Sequence, residues 1–229
     1  MIKRNEQGIL IVVSGPSGCG KSTVDNLLIK KRKNIIMSVS DTTRPPRNGE
    51  VNGKDYNFIT AKEFENNIKN DKYLEYAKVH ANKYYGTPSK FVNNKLKEGI
   101  DVILEIDIEG ARKIKEKRSD AVFIFIMPPS MEILKSRLVL RKTETKEQIV
   151  ERFKTAYKEI NEVSKYNYVI VNDNVDDSVN RMSSIIDSEK SRVDRIEEIY
   201  LGNEEEIIHE ILMDLVIIVY KMFIICYIY

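Results

Sequence analysis

The sequence predicts an α/β protein, a three-layer sandwich around a parallel sheet, and three observations carry that expectation. Residues 9–14 form an apolar, β-branched run that leads straight into Gly15-Pro16-Ser17-Gly18-Cys19-Gly20-Lys21-Ser22-Thr23. The runs 102–106 and 122–126 are nearly continuous in β-branched and aromatic residues, as strands buried on both faces are. Strand and helix candidates then alternate along most of the chain. In order, the strands are expected at 9–14, 35–38, 102–107, 121–127 and 168–172. The helices between them are expected at 22–31, 61–69, 89–98, 109–116, 130–140, 144–164 and 176–190. Ser130 after Pro128-Pro129 is a natural N-cap. Residues 40–88 break the alternation. They are rich in Gly, Asn, Thr, Tyr and charge, and read as an excursion beside the core, with a short strand-like piece at 56–60.

Composition bounds the class. At 229 residues, 42% hydrophobic and 31% charged, the chain suits one soluble α/β domain with small insertions. The formal net charge of +2, with both signs interspersed, gives no ground for nucleic-acid binding. Cys19 and Cys226 stand near opposite ends, so neither a disulfide nor a two-cysteine metal site is expected. The N-terminus is too short and polar for a signal peptide, which makes the cytoplasm the expected compartment. Residues 215–229 are far more apolar than anything upstream, but short for a span and interrupted by Lys221. That tail shows neither clean helical nor clean strand periodicity. Membrane anchoring, packing on the domain or a second subunit, and an unselected extension all remain open.

The chemistry starts at G-x-x-x-x-G-K-S. Glycines let successive backbone N–H groups point inward as an anion nest, and the following helix aims its positive end at the same anion. Lys21 is then placed for the β- and γ-phosphates, and the Ser22 hydroxyl for Mg²⁺. Four further clusters matter. Arg44 and Arg47 flank a rigid Pro-Pro pair and suit a compact dianion, with Tyr56 and Tyr85 adding phenolic hydrogen bonds; the alternative is a solvated basic turn. Glu75 suits the adjacent N1–H and N2–H donors of guanine, and Ser40 and Thr87 suit its O6; the alternative is a surface glutamate. Glu105 and Asp107 end a buried strand facing the phosphate loop. Glu105 suits the second nucleotide and Asp107 the water ligands of Mg²⁺; the alternative is strand-end capping or an ion pair with Arg112. Arg137, Arg141 and Arg152 suit neutralisation of a transferring phosphoryl group, although exposed arginines often have no such task.

Together these clusters resemble the guanylate kinase family. The matching stretches are GPSGCGKST (15–23), SVSDTTRPPRNGEVNGKDYNF (38–58), LEYAKVHANKYYGTP (74–88), LEIDIEGAR (104–112), the three arginines and VIVND (169–173). The resemblance spans roughly residues 8–188. It implies a P-loop NTPase core over 1–39 and 89–190 with a helical lid at about 130–160, a GMP-binding insertion at 40–88, and a C-terminal extension at 191–229. The implied reaction is ATP + GMP ⇌ ADP + GDP with Mg²⁺, with dGMP as a further acceptor, by direct in-line transfer in a monomer or homodimer. It implies ATP binding by Gly15, Pro16, Ser17, Gly18, Cys19, Gly20, Lys21, Ser22, Thr23 and Asn172. GMP binding falls to Ser40, Arg44, Arg47, Glu50, Tyr56, Glu75, Tyr85, Thr87, Glu105 and Asp107. Transfer is assigned to Lys21, Arg44, Arg137, Arg141 and Arg152, and Mg²⁺ to Ser22 and, through water, Asp107. Asp25 and Asp41 occupy positions that vary or are more often uncharged in the family, and Lys142 stands where a glycine commonly follows the lid arginine, which is expected to stiffen or reorient the lid. The competing expectations are a catalytically dead scaffold module and a kinase of another small phosphate; Lys21, Arg44, Arg47 and Arg137 argue against the scaffold.

Overall fold

The structure is a computed structural model that describes residues 2–4, 7–79, 83–139, 146–199 and 204–228. Its elements run β1 (Ile2–Arg4), β2 (Leu10–Ser14), α1 (Lys21–Lys31), β3 (Ile35–Met37), β4 (Asp41–Thr42), β5 (Asn57–Phe58), α2 (Ala61–Lys69), β6 (Tyr73–Val79), β7 (Lys83–Pro88), α3 (Ser89–Lys97) and β8 (Asp101–Glu105). They continue as α4 (Ile108–Lys117), β9 (Val122–Met127), α5 (Met131–Val139), α6 (Lys146–Ile160), β10 (Tyr168–Val171), α7 (Val175–Lys190), β11 (Ile196–Ile199) and α8 (Glu204–Ile228). The chain divides into one unit of Glu6–Lys190 and another of Met1–Asn5 with Ser191–Tyr229.

The larger unit is the expected α/β sandwich. Its main sheet is parallel throughout, in the order β10-β9-β2-β8-β3. Side chains alternate along a strand, so β2 sorts its residues into two cores. Ile9, Ile11 and Val13 face Val24 and Leu28 of α1 and Val179, Met182 and Ile186 of α7. Leu10 and Val12 face Val92 and Leu96 of α3 and Ala111 and Ile114 of α4. Burying each such side chain stabilises the fold by about 1.5–3 kcal/mol. Both faces of β2 are therefore dry, which is why it reads as an apolar run from Leu10 to Val13.

Residues 41–88 form a second sheet, β5-β4-β7-β6, in which β7 runs antiparallel to both neighbours. Aromatic stacking substitutes for long strands here: the Phe64 ring on α2 lies 4.5 Å from Tyr73 and 5.1 Å from Tyr84. Asp41 is buried and accepts from the Tyr73 hydroxyl (2.8 Å) and the Asn57 amide (2.9 Å), joining β4, β5 and β6. Its charge is thereby accounted for.

Two boundaries differ from expectation. The strand expected over 102–107 stops at Glu105, because Asp107 turns to cap α4 and accepts from the Gly110 N–H at 2.7 Å. The helix expected over 144–164 is described from Lys146, ends at Ile160, and is followed by a separate 3-10 turn at Val163–Lys165. In the smaller unit β1 pairs antiparallel with β11, and α8 is a continuous helix, although the tail carries no helical periodicity. Apolar residues from Ile207 to Val219 are exposed all round it. Among the described residues no helix is long and apolar enough to cross a membrane.

Candidate active site

The register of the main sheet places Val13 beside Glu105, so the loop leaving β2 and the carboxylate ending β8 emerge together. Residues 15–20 cross this edge and enter α1. Gly20 is the N-cap of that helix at φ +96°, and a Cβ there would lie 2.4 Å from Asn172 Nδ2. No side chain caps α1 and its first turn holds no acid, so nothing charged competes there with an anion. Lys21 Nζ donates to the carbonyls of Gly15 (2.7 Å) and Pro16 (3.3 Å). The Ser22 hydroxyl donates to Glu105 Oε1 at 2.9 Å. Ser17, Gly18, Gly20, Lys21, Ser22, Thr23 and Glu105 line a cleft of about 240 Å³.

Three side chains hold the loop from behind. Asn172 is buried; its amide donates to the Cys19 carbonyl (2.8 Å) and its oxygen accepts from Ser178 Oγ (3.0 Å). Arg137 donates to the carbonyls of Cys19 (3.3 Å) and Asn172 (3.2 Å). Arg152 bonds the Ser17 hydroxyl. Asn172 thus has its amide committed to the loop, and Arg137 rests on backbone at the rear of the loop. Arg141 and Lys142 lie outside the described residues. Cys19 is buried, and burial pushes its thiol pKa up, so it is an inert loop residue.

A second cleft of about 340 Å³ adjoins the first and shares Glu105 with it. Ser40, Arg44, Arg47, Tyr56, Glu75, Tyr85 and Asp107 line it. Arg44 is braced on every side: Nη1 and Nη2 donate to the two oxygens of Glu50 at 2.6 and 2.7 Å, Nε donates to the Tyr85 hydroxyl at 3.0 Å, and the guanidinium sits 4.8 Å from the Tyr56 ring. Glu50 also accepts from the Arg47 backbone N–H at 2.7 Å. The Arg44 pair, then that N–H, hold its carboxyl down at about 2. Glu50 therefore orients the arginine and does not line the cleft itself.

Glu75 is the opposite case. The β6–β7 register sets it across from Thr87, whose hydroxyl donates to it at 2.7 Å, and both side chains are buried. Burial pushes the Glu75 pKa up, the Thr87 hydrogen bond opposes that, and Asp107 adds to the rise. Glu105, through Ser22, stands at the phosphate-loop cleft, while Asp107 caps α4 beside Glu75. Arg112 pairs with Glu109 and Glu116 and leaves both acids alone.

A wall shared by a phosphate loop and an arginine-and-glutamate cleft fits a phosphoryl donor facing an acceptor. The family model for guanylate kinase matches residues 7–189. The chain belongs to the guanylate kinase family. A guanylate kinase of Clostridium perfringens strain SM101 is 55% identical over 93% of this chain and 98% of its own length. One of Clostridium tetani is 56% identical over 91% of this chain and 100% of its own. The crystal structure of guanylate kinase from Anaplasma phagocytophilum superposes with a TM-score of 0.69 at 37% identity, covering 85% of this chain and 92% of that one. As a member of the guanylate kinase family the chain is a kinase.

Three further residues of the chain bear on the site. Gly110 leaves space: a Cβ there would stand 3.3 Å from both Asp107 Oδ1 and Glu75 Oε2. Asp25 on α1 is fully buried, both of its carboxylate oxygens lack partners, and burial, reinforced by Glu105, raises its pKa well above the usual range. Glu159 on α6 carries a buried carboxylate oxygen without a hydrogen-bond partner, and burial raises its pKa. It was not among the residues singled out from sequence; its spacing from Arg152, two helical turns on, is the signal that could have found it.

Proposed function

We propose that the chain transfers the γ-phosphoryl group of ATP to GMP, and to dGMP, giving ADP and GDP. The observation that carries this reading is Glu105, common wall of the two clefts, with phosphate-loop donors on one side and Arg44 and Glu75 on the other. ATP takes the 15–22 loop, with Lys21 released from the Gly15 and Pro16 carbonyls toward the phosphates. GMP takes the second cleft: Arg44, Arg47, Tyr56 and Tyr85 grip its phosphate, and Glu75, Ser40 and Thr87 read its base. An ionised Glu75 accepts the adjacent N–H donors of guanine, whereas adenine has no proton on N1 and leaves the buried carboxylate unpaired.

The oxygens of Ser22 and Glu105 are the hard donors Mg²⁺ prefers, and one or two protein ligands beside substrate phosphates are its ordinary site. Ser22 is the direct ligand in this reading. Glu105, bonded to Ser22, is better placed than Asp107 for the metal's water shell. Bound there, Mg²⁺ supplies charge neutralisation at the phosphates. The chain's own residues position the rest. Arg44 fixes the acceptor phosphate in line, Arg152 and Arg141 bring charge to the transferring group, and Arg137 and Asn172 hold the loop's shape. Transfer is direct, with no covalent enzyme intermediate. The insertion at 40–88 and the lid at about 130–160 close over the substrates to exclude water, in a cytoplasmic monomer or homodimer.

Coupled detection of ADP with GMP, dGMP, AMP, CMP and UMP in turn tests the reading. Turnover with the guanine nucleotides and little with the others is the expected pattern; equal turnover of AMP overturns the guanine assignment.

A further inference from the structure

The Cys19 carbonyl receives two side-chain donors, Asn172 Nδ2 at 2.8 Å and Arg137 Nη1 at 3.3 Å. The peptide that follows it is planar and trans, so the Gly20 N–H points the opposite way. Gly20 lines the phosphate-loop cleft, and its bare Cα lets the Asn172 amide close on the loop from behind: a Cβ there would stand 2.4 Å from Nδ2. Holding the carbonyl away from the cleft therefore aims the amide proton into it, the arrangement an anion nest requires.

The direction of that hold is set one step further back. Asn172 is anchored by its own N–H to the Met127 carbonyl at 2.8 Å, at the end of β9. Its side-chain oxygen accepts from Ser178 Oγ at 3.0 Å, in the first turn of α7, and both residues are buried, Ser178 completely. The same hydroxyl reaches the Asn174 carbonyl at 2.8 Å, but that oxygen already accepts from the Ser178 N–H at 3.0 Å. The proton therefore matters most at Asn172, because a buried amide oxygen that loses its donor is costly. We propose that Ser178 is a positioning residue for the donor nucleotide: acting through Asn172, it holds the Cys19 carbonyl outward and keeps the Gly20 N–H aimed at the phosphates. Ser178 is not among the described residues that line either cleft.

The inference rests on ATP occupying the 15–22 loop. Ser178→Ala removes the hydroxyl alone. Asn172 Oδ1 then faces a methyl group, and a tilt that finds it another donor takes Nδ2 off the Cys19 carbonyl. In the full chain with Mg²⁺ and without GMP, ADP should bind the variant about tenfold more weakly by calorimetry. The KM for ATP should rise with it, while the KM for GMP stays within about twofold, a split that a general loss of structure does not produce. Amide NMR should find the Gly20 proton moving downfield when ADP is added to the parent chain, and moving much less in Ser178→Ala. Ser178→Thr, which returns the hydroxyl, should recover both. Should Ser178→Ala fail to fold, Ser178→Cys keeps the size with a weak donor and should show the same loss by a smaller factor. ADP affinity and the Gly20 response unchanged in the variant that folds overturn the proposal, as do KM values for ATP and GMP that rise together. A folded threonine variant that stays weak overturns it as well. These outcomes leave the kinase reading intact if the parent chain phosphorylates GMP; a parent chain that binds neither ATP nor ADP overturns the reading itself.

Discussion

At the residue scale, Arg44, proposed above to grip the acceptor phosphate, is held in place by its neighbours. Its fork is matched to Glu50, its Nε is matched to Tyr85, and its flat face lies near Tyr56. The Glu50 carboxyl, at about 2, lies below its ordinary 4.5. A depressed carboxylate contributes its stability fully above the unfolded value and loses it as pH falls through the folded one. The Arg44–Glu50 pair should therefore persist down to about pH 2. Carbon-13 NMR should find the Glu50 carboxyl titrating near 2 in the parent chain and returning toward 4.5 in Arg44→Gln; titration near 4.5 in the parent would show that the pair is absent in solution. Asp25 has the reverse sign. Its folded pKa is raised, so the folded state holds the proton more tightly, and stability falls as pH rises from the ordinary 3.8 to that folded value. Asp25→Val, similar in size and free of polar atoms, should stabilise the chain at pH 8 by about 1–3 kcal/mol. At this chain length that is roughly 2–4 °C of Tm per kcal/mol, and calorimetry should see the gain shrink as pH approaches 4. A gain that did not depend on pH would place the defect in packing. The phosphate loop was legible because its residues are contiguous and their spacing is dictated by one anion. Burial of Asp25 was not, since a charged residue in a helix reads as a surface position until its neighbours are known.

At the element scale, α4 is shaped by what it must not carry. Asp107 caps it, Gly110 opens its first turn, and the missing side chain leaves room for the carboxylates of Asp107 and Glu75. Alanine is the better helix former by about 1 kcal/mol, so Gly110→Ala should hold or raise Tm. Its Cβ, however, would press on both acids at 3.3 Å and force them to shift by a few tenths of an ångström. The expected result is a KM for GMP raised several-fold with kcat nearly unchanged, because the damage falls on binding. A lowered Tm with GMP affinity intact would show that the glycine serves the helix instead. The same helix explains one limit of the sequence. The apolar run from 102 continues through Ile106, so composition alone extends the strand to Asp107; the cap to Gly110 ends it earlier. The main sheet was legible because buried parallel strands are written as apolar runs. Of the second sheet only β5 was read, inside the piece expected at 56–60; β4 is two residues long, and the sheet is held by Asp41, Tyr73 and ring stacking, which leave no alternation to read.

At the scale of the whole molecule, two independent boundaries agree. The compact unit spans Glu6–Lys190 and the guanylate kinase family model spans residues 7–189. Lys190 closes that unit physically. Its ammonium pairs at 2.7 Å with Asp101, a carboxylate only 1% exposed, whose other oxygen accepts from the Ile9 N–H at 2.9 Å. The last residue of α7 is thus tied to the starts of both β2 and β8. A buried carboxylate stripped of its cation is costly, up to about 3–5 kcal/mol when both partners are fully buried. Lys190 is one-third exposed, so the cost here should fall nearer 1–3 kcal/mol. The described lining residues of both clefts all belong to the Glu6–Lys190 unit. A chain ending at Lys190 should therefore phosphorylate GMP with kcat/KM within about twofold of the full chain, as expected for changes distant from a site. It should melt in one cooperative transition. A chain ending at Glu189 should lose the 1–3 kcal/mol of the Asp101 pair, and Lys190→Ala in the longer chain should reproduce that loss. If the chain ending at Lys190 is inactive while its melting is normal, residues 191–229 act on the site directly. If Lys190→Ala melts like the parent, the closing contact lies elsewhere in α7.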